Sequence, residues 1–196
     1  MKICINNLVL FAFVALFAAG CTSAPSKFYT LNSTAKGDGK SQANYTIAVG
    51  SVSIPLEVDR PQFTIQASAN RIEIDEFNRW AEPLNSNIAR VIARDLAVLL
   101  GTPRVTAVIM PYFDAAYRVT IDIQRFESIP GKSAQIEAVW VVRKSSGGKS
   151  VSGHTVAFEP VEDSSLDALA AAHSRALAKI SSDIAGAIRT EATKKP

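Results

Sequence analysis

From Leu166 onward an apolar or ring side chain recurs at every third or fourth position: Leu166, Leu169, His173, Leu177, Ile180, Ile184 and Ile188, at spacings of 3, 4, 4, 3, 4 and 4. Only a helix gathers such a pattern into one stripe, here over roughly six turns. A stripe of that length has to be covered, and the alanines flanking it let a sheet or a second helix come close. Ser164-Ser165-Leu166-Asp167 opens the helix as a capping-box-like start, with Asp in place of the usual Glu. The tail Thr193–Pro196 is expected to fray.

A second helix is expected from Pro83 to about Leu100, with Leu84, Ile88, Val91, Ile92, Leu96 and Leu99 on one stripe. Pro83 suits a first turn, Glu82 complements the positive helix start, Gly101 caps the end and Pro103 forbids continuation. Strands fill much of the rest. Tyr45–Pro55 is rich in β-branched residues, and Gly50 inside it suggests a bulge or a close backbone approach. Gln62–Ala67 and Arg71–Asp75 alternate around a turn at Ser68–Asn70, which predicts a hairpin with one wet face. The stretch Phe77–Leu84 reads as a turn feeding the helix.

Downstream, Arg118–Gln124 alternates and Phe126 breaks phase, as at a bulge. A turn at Ser128–Lys132 leads to a strand with Ala134, Ile136, Ala138, Trp140 and Val142 on one face. Ser145–Gly148 then turns the chain into a return strand ending at Phe158. The expected fold is α+β: a mostly antiparallel sheet of five or six strands with two helices packed on one face.

The first residues are of another kind. Lys2 precedes an unbroken apolar run, Leu8–Phe17, then Ala18-Ala19-Gly20-Cys21-Thr22. Ten helical residues span roughly 15 Å, half of a bilayer core of about 30 Å, so this is the build of a secretory signal. Small residues before a cysteine resemble the lipobox of bacterial lipoproteins, in which the sulfur is lipidated and the chain is cut just before it. Ala18 stands where leucine is most usual, which predicts slower processing. An ordinary cleavable signal would also fit Ala19 and Gly20, but would leave Cys21 incidental. Without an aspartate at Thr22, the resemblance implies the outer membrane, with the domain facing the periplasm.

On this reading residues 1–20 are the signal peptide, 21–44 the lipidated N-terminus and a flexible linker, 45–190 the folded domain and 191–196 a frayed tail. Within the linker, Phe28-Tyr29-Thr30-Leu31 is apolar enough to dock on the domain or to add an edge strand. Cys4 leaves with the signal, so the mature chain holds Cys21 alone and its domain must be held by its core. The net charge of +3 is mild and evenly spread, which argues against nucleic acid as a partner.

Several of these stretches, in this order, are similar to one family: Cys21, Phe28–Leu31, Ile47–Pro55, Asp59-Arg60-Pro61-Gln62 and Arg79-Trp80-Ala81-Glu82-Pro83-Leu84. The chain resembles the ABC-type transport auxiliary lipoproteins (the PqiC-like proteins). The resemblance implies an outer-membrane lipoprotein without catalytic residues, an accessory of an MCE-type lipid transport system. Its partners would be the outer membrane, through Cys21, and a periplasmic MCE-domain protein, with a ring of identical subunits as a further expectation. An apolar ligand held between sheet and helices is the alternative.

Sites of chemistry are not advertised. Of the two histidines, His154 falls in a strand pattern and His173 on the apolar helix stripe, where each reads as a hydrogen-bonded core or boundary residue. No cysteine pair or histidine cluster suggests a metal, and no cofactor is expected. Gly147-Gly148-Lys149-Ser150 has Arg143 where a phosphate loop needs glycine, and lies between strands, so it reads as a turn. Asp59, Asp75 and Glu76 read as solvated. The partner contact to name is Arg79-Trp80, since Arg and Trp anchor interfaces. Against it stands the reading that Trp80 staples the turn to the core while Arg79 pairs with Glu82 or a backbone carbonyl. The alanine flank of the last helix is a second candidate surface, for self-association.

Overall fold

The computed structural model describes residues 24–37, 39, 43–108, 113–147 and 149–194, so the signal and Cys21 lie outside the described residues. The elements run β1 (Lys27–Tyr29), β2 (Ile47–Ser53), β3 (Gln62–Ser68), β4 (Arg71–Trp80), α1 (Leu84–Leu100), β5 (Val105–Thr106), β6 (Tyr117–Ile129), β7 (Ser133–Lys144), β8 (Val151–Pro160) and α2 (Leu166–Thr193). The fold is α+β, but the strands form two sheets. One has the order β5-β2-β6-β7-β8 and the other β1-β4-β3.

Both expected helices form. The first ends in a Schellman closure: Gly101 takes φ 62°, its N–H donates to Val98 O (3.3 Å) and that of Thr102 to Ala97 O (3.1 Å). Pro83 sits at the N-cap, just before the first turn. In α2 the cap is one residue later than the capping box expected, since the Ser165 hydroxyl accepts from Ala168 N at 3.1 Å. Asp163 in turn accepts from Ser165 N at 2.7 Å, so the Ser164 hydroxyl is not the cap. The stripes of the two helices meet the inner face of the larger sheet, where Ile47, Leu96, Ile121, Ile136, Leu169, Leu177 and Ile180 are fully buried in one core cluster. The alanines do the expected work, Ala172, Ala176 and Ala185 being buried against the body.

Strands β6, β7 and β8 are antiparallel sequential neighbours. A register shift between Ile123 and Arg125 is the bulge that carries burial from Ile123 to Phe126. Pro130-Gly131 makes the β6–β7 turn, with Gly131 at φ 66° and Lys132 N donating to Ile129 O at 3.1 Å, a type II arrangement. Gly50 fulfils both expectations for it. The β2–β6 register shifts between Val49 and Val52, and a Cβ at Gly50 would stand 3.2 Å from Val119 O.

Two features depart from the sequence reading. Strand β2 runs parallel to both β5 and β6, so the larger sheet, antiparallel through β6, β7 and β8 as expected, is mixed rather than purely antiparallel. The turn expected at Phe77 is strand, because β4 continues to Trp80. It is bent at Asp75, whose carboxylate accepts from Phe77 N and Asn78 N, both at 3.0 Å, and the β3–β4 register shifts there.

Candidate functional site

The chain enters the fold through β1, which joins the smaller sheet as an edge strand parallel to β4, with Lys27 opposite Asn78 and Tyr29 opposite Trp80. Ala81 N donates to Tyr29 O at 2.8 Å, and the Tyr29 hydroxyl donates to Asn78 Oδ1 at 2.8 Å. From Thr30 to Lys36 the backbone lies as a strap along the seam between the two helices. Leu31 is buried there, its N–H donating to Asn87 Oδ1 at 2.7 Å. Asn32 N donates to Ser174 Oγ at 3.1 Å. Part of the stretch expected to be a flexible linker is therefore tied down, because buried polar side chains satisfy its backbone.

Asp95 is the centre of that clamp. It is fully buried in α1, and accepts from the Ser33 hydroxyl (2.6 Å) and from Ala35 N (3.2 Å) on one oxygen, and from the Ser181 hydroxyl (3.1 Å) on the other. Burial raises its pKa, and the bonds from Ser33, Ala35 and Ser181 offset part of that rise. The sequence reading passed over this cluster. Its signal was available: Asp95 lies on the apolar stripe of α1, seven residues after Ile88 and four after Val91. A charge at such a position asks for a partner.

The pair Arg79-Trp80 divides. Trp80 is 6% exposed, stacked on Phe63 at 4.6 Å between centroids and edge-on to Phe126 at 6.1 Å. Tyr29 meets the other side of this chain of rings, 5.5 Å from Phe63. Trp80 is thus the staple that joins the smaller sheet to the larger one, and its ring is turned into the core. Arg79 stays partly open. Its Nε donates to Glu76 O at 3.0 Å, and its guanidinium lies 3.9 Å from the Glu76 carboxylate. Glu82 pairs with Arg90 instead.

His173 extends the aromatic chain, stacked on Phe126 at 3.9 Å. Its Nε2 shares a hydrogen bond of 2.8 Å with Ser128 Oγ, while Nδ1 has no hydrogen-bond partner. Burial lowers its pKa to about 3, so the ring is neutral at any ordinary pH. His154 lies on the outer face, 2.8 Å from Glu137. Asp75 serves as the bend of β4, and Glu76 accepts from Gln62 at 3.2 Å, so the two acids do not form a working pair. Among the described residues no group of three or more His, Cys, Asp or Glu converges on a metal position.

An open groove of about 710 Å³ runs beside the strap, lined by Phe28, Thr30, Lys36, Ala171, Arg175 and neighbours. Core side chains such as Ile92, Ile121 and Leu177 fill space between sheet and helices, and an open pocket of about 500 Å³ lies between β2 and α1, lined by Val49, Val52, Ala89 and Arg90. Exposed large apolar residues stand on and around the smaller sheet, at Phe28, Leu56, Ile72, Ile74 and Phe77, and also on α1 at Val98, after β5 at Val108 and on β8 at Val156 and Phe158.

A model of the ABC-type transport auxiliary lipoprotein component matches residues 29–185, from β1 through most of α2. The chain belongs to that family. The matched span takes in the strap, the Asp95 clamp and the aromatic chain, so these belong to the body of an auxiliary component of ABC-type transport. Among curated proteins none matches this auxiliary lipoprotein component. Among solved structures it is similar to protein XCC0632 from Xanthomonas campestris, a DUF330 family member, with a TM-score of 0.72 and 18% identity over 86% of this chain and 100% of that one. An uncharacterised protein gives a TM-score of 0.70 with 17% identity, over 84% of this chain and 99% of the other. A looser likeness, at TM-score 0.41 and 15% identity, covers 78% of this chain and 90% of a dodecameric PelC from Paraburkholderia phytofirmans. Among the described residues no helix of this family member is long and apolar enough to cross a membrane.

Proposed function

We propose that this protein is an outer-membrane lipoprotein, anchored through acyl chains on Cys21, that serves as a non-catalytic accessory subunit of an MCE-type ABC lipid transport system. Its task is to dock the periplasmic component to the outer membrane. The observation that carries the reading is the chain's entry: Cys21 stands six residues ahead of β1, and β1 is hydrogen-bonded into the smaller sheet rather than hanging on a long tether. An anchor so close to a rigid body fixes position, which is what docking requires. One acyl chain binds a membrane reversibly, whereas two or more hold it stably.

On this reading Arg79 is the residue of the expected pair that reaches a partner, while Trp80 holds the strand beneath it. A ring of identical subunits around the transport path would multiply each weak contact. The test has two arms. The mass of the mature N-terminus should show acyl chains on Cys21, and cross-linking in mild detergent should recover an MCE-domain protein. An unmodified Cys21 would remove the anchor. A lipidated protein that never brings down an MCE-domain partner would leave an anchored adaptor of some other transport system.

A further inference from the structure

The side of the molecule that faces the membrane follows from where the chain enters it. Cys21 stands six positions before Lys27, and the chain between their Cα atoms, fully extended, spans at most about 20 Å. Because β1 is parallel to β4, the chain enters travelling as β4 does, from the side of the β3–β4 turn. Counting back along β4 from Asn78, opposite Lys27, the same six positions end at Ile72. The reach of the anchor and the length of the β3–β4 arm are thus matched.

Apolar side chains are left in water along that arm, as Val156 and Phe158 are on β8, but those of the arm lie within the anchor's reach. Ile72 is 37% exposed, Ile74 39% and Phe77 45%. Each forgoes part of the stabilisation that covering such a side chain returns. Of the neighbouring acids, Glu73 lies 3.3 Å from Arg71 and Glu76 lies 3.9 Å from Arg79, while Asp75 is engaged by the N–H groups of Phe77 and Asn78, which leaves the arm with a small negative charge. The arm's end is therefore apolar and close to neutral, a surface for a lipid interface rather than for a strongly charged partner.

We propose that the β3–β4 arm rests on the membrane that holds Cys21, with Ile72, Ile74 and Phe77 entering the headgroup–acyl boundary. The anchor then does not merely tether the body but sets its orientation, with the larger sheet held off the membrane. This rests on the lipidation of Cys21 proposed above.

Single cysteines placed at Ile72, Phe77 or Ser152 test it in the full lipidated protein, whose Cys21 sulfur is blocked by its acyl chain. Ser152 is the reference, on β8 at the end of the larger sheet away from Trp80. Each site carries an environment-sensitive fluorophore, and the protein is placed in phosphatidylcholine or phosphatidylglycerol vesicles containing spin-labelled lipid. Quenching at 72 and 77 should exceed that at 152 by about threefold or more, equally in both lipids and at low or high salt, as expected for apolar insertion. Equal quenching at all three sites, with acyl chains confirmed by mass, would overturn the orientation and leave the anchor standing. A label at 72 that is shielded only when the periplasmic partner is added would assign the arm to protein docking and equally overturn the proposal. An unmodified Cys21 would remove both the anchor and the orientation built on it.

Discussion

Two hairpins of this protein have nearly the same sequence pattern and opposite fates. In β6–β7, the alternating side chains Val119, Ile121, Ile136 and Ala138 are fully buried, because α2 lies across that face while α1 covers β2 beside it. In β3–β4, alternation is as clear, yet only the root of the hairpin is covered. Phe63 and Trp80 are buried at that root, while Ile72 and Ile74 near the tip are exposed. Alternation reports that a strand can form with two distinct faces. It does not report whether anything will cover the apolar one. The body is therefore held by its core, and the arm by the rings at its base.

The contrast can be broken at the arm's root. Trp80→Ala should cost about 3–5 kcal/mol, since it removes the ring joining the two sheets. Chemical denaturation would show the loss, and amide exchange should rise first in β3 and β4. An unfolding midpoint close to wild type would mean the sheets are coupled elsewhere. Within the body the matching stress is overpacking at Gly153, where a Cβ would lie 2.1 Å from the Trp140 ring. Gly153→Ala should cost about 1–3 kcal/mol, read as a lowered Tm without preferential opening of the arm.

Acidity should also act on the body and spare the arm. The folded pKa of His173 is lowered to about 3 from 6.5. Below pH 6.5 the unfolded chain takes up a proton that the folded one refuses, so stability is present above 6.5 and falls as pH drops toward 3. His173→Gln should flatten that slope in a denaturation series. Asp95 runs the other way. Its folded pKa is raised above 3.8, so its contribution is present below 3.8 and is lost as pH rises through the raised value. Asp95→Asn should remove that loss, visible as a smaller decline of the urea midpoint above pH 3.8. The smallest effect is expected at the arm's tip, where Ile72→Ala and Ile74→Ala should each change stability by no more than about 0.5 kcal/mol. A larger loss there would show that the tip is packed after all.

The family was legible before any coordinates, because it rests on ordered local stretches such as Ile47–Pro55 and Arg79–Leu84. Of the pair proposed to meet a partner, sequence could not separate Arg79 from Trp80. Adjacent strand residues point to opposite faces, and which face is the core depends on Phe63 and Phe126, far away in the chain. The Asp95 clamp was half visible: a carboxylate on an apolar stripe announces a buried partner but does not name it. That partner proved to be the strap, with Ser33 62 residues away.

By itself the sequence determined the elements: two helices from their stripes and the β6–β7–β8 meander from alternation and turns. Periodicity, caps and turns are local, written within a few residues of where they act. Tertiary structure alone decided that β2 runs parallel to its neighbours, that the presumed linker is clamped between the helices, and that the arm stands uncovered. Each of those depends on which distant surface arrives to pair or to pack, and no short stretch of residues encodes that meeting.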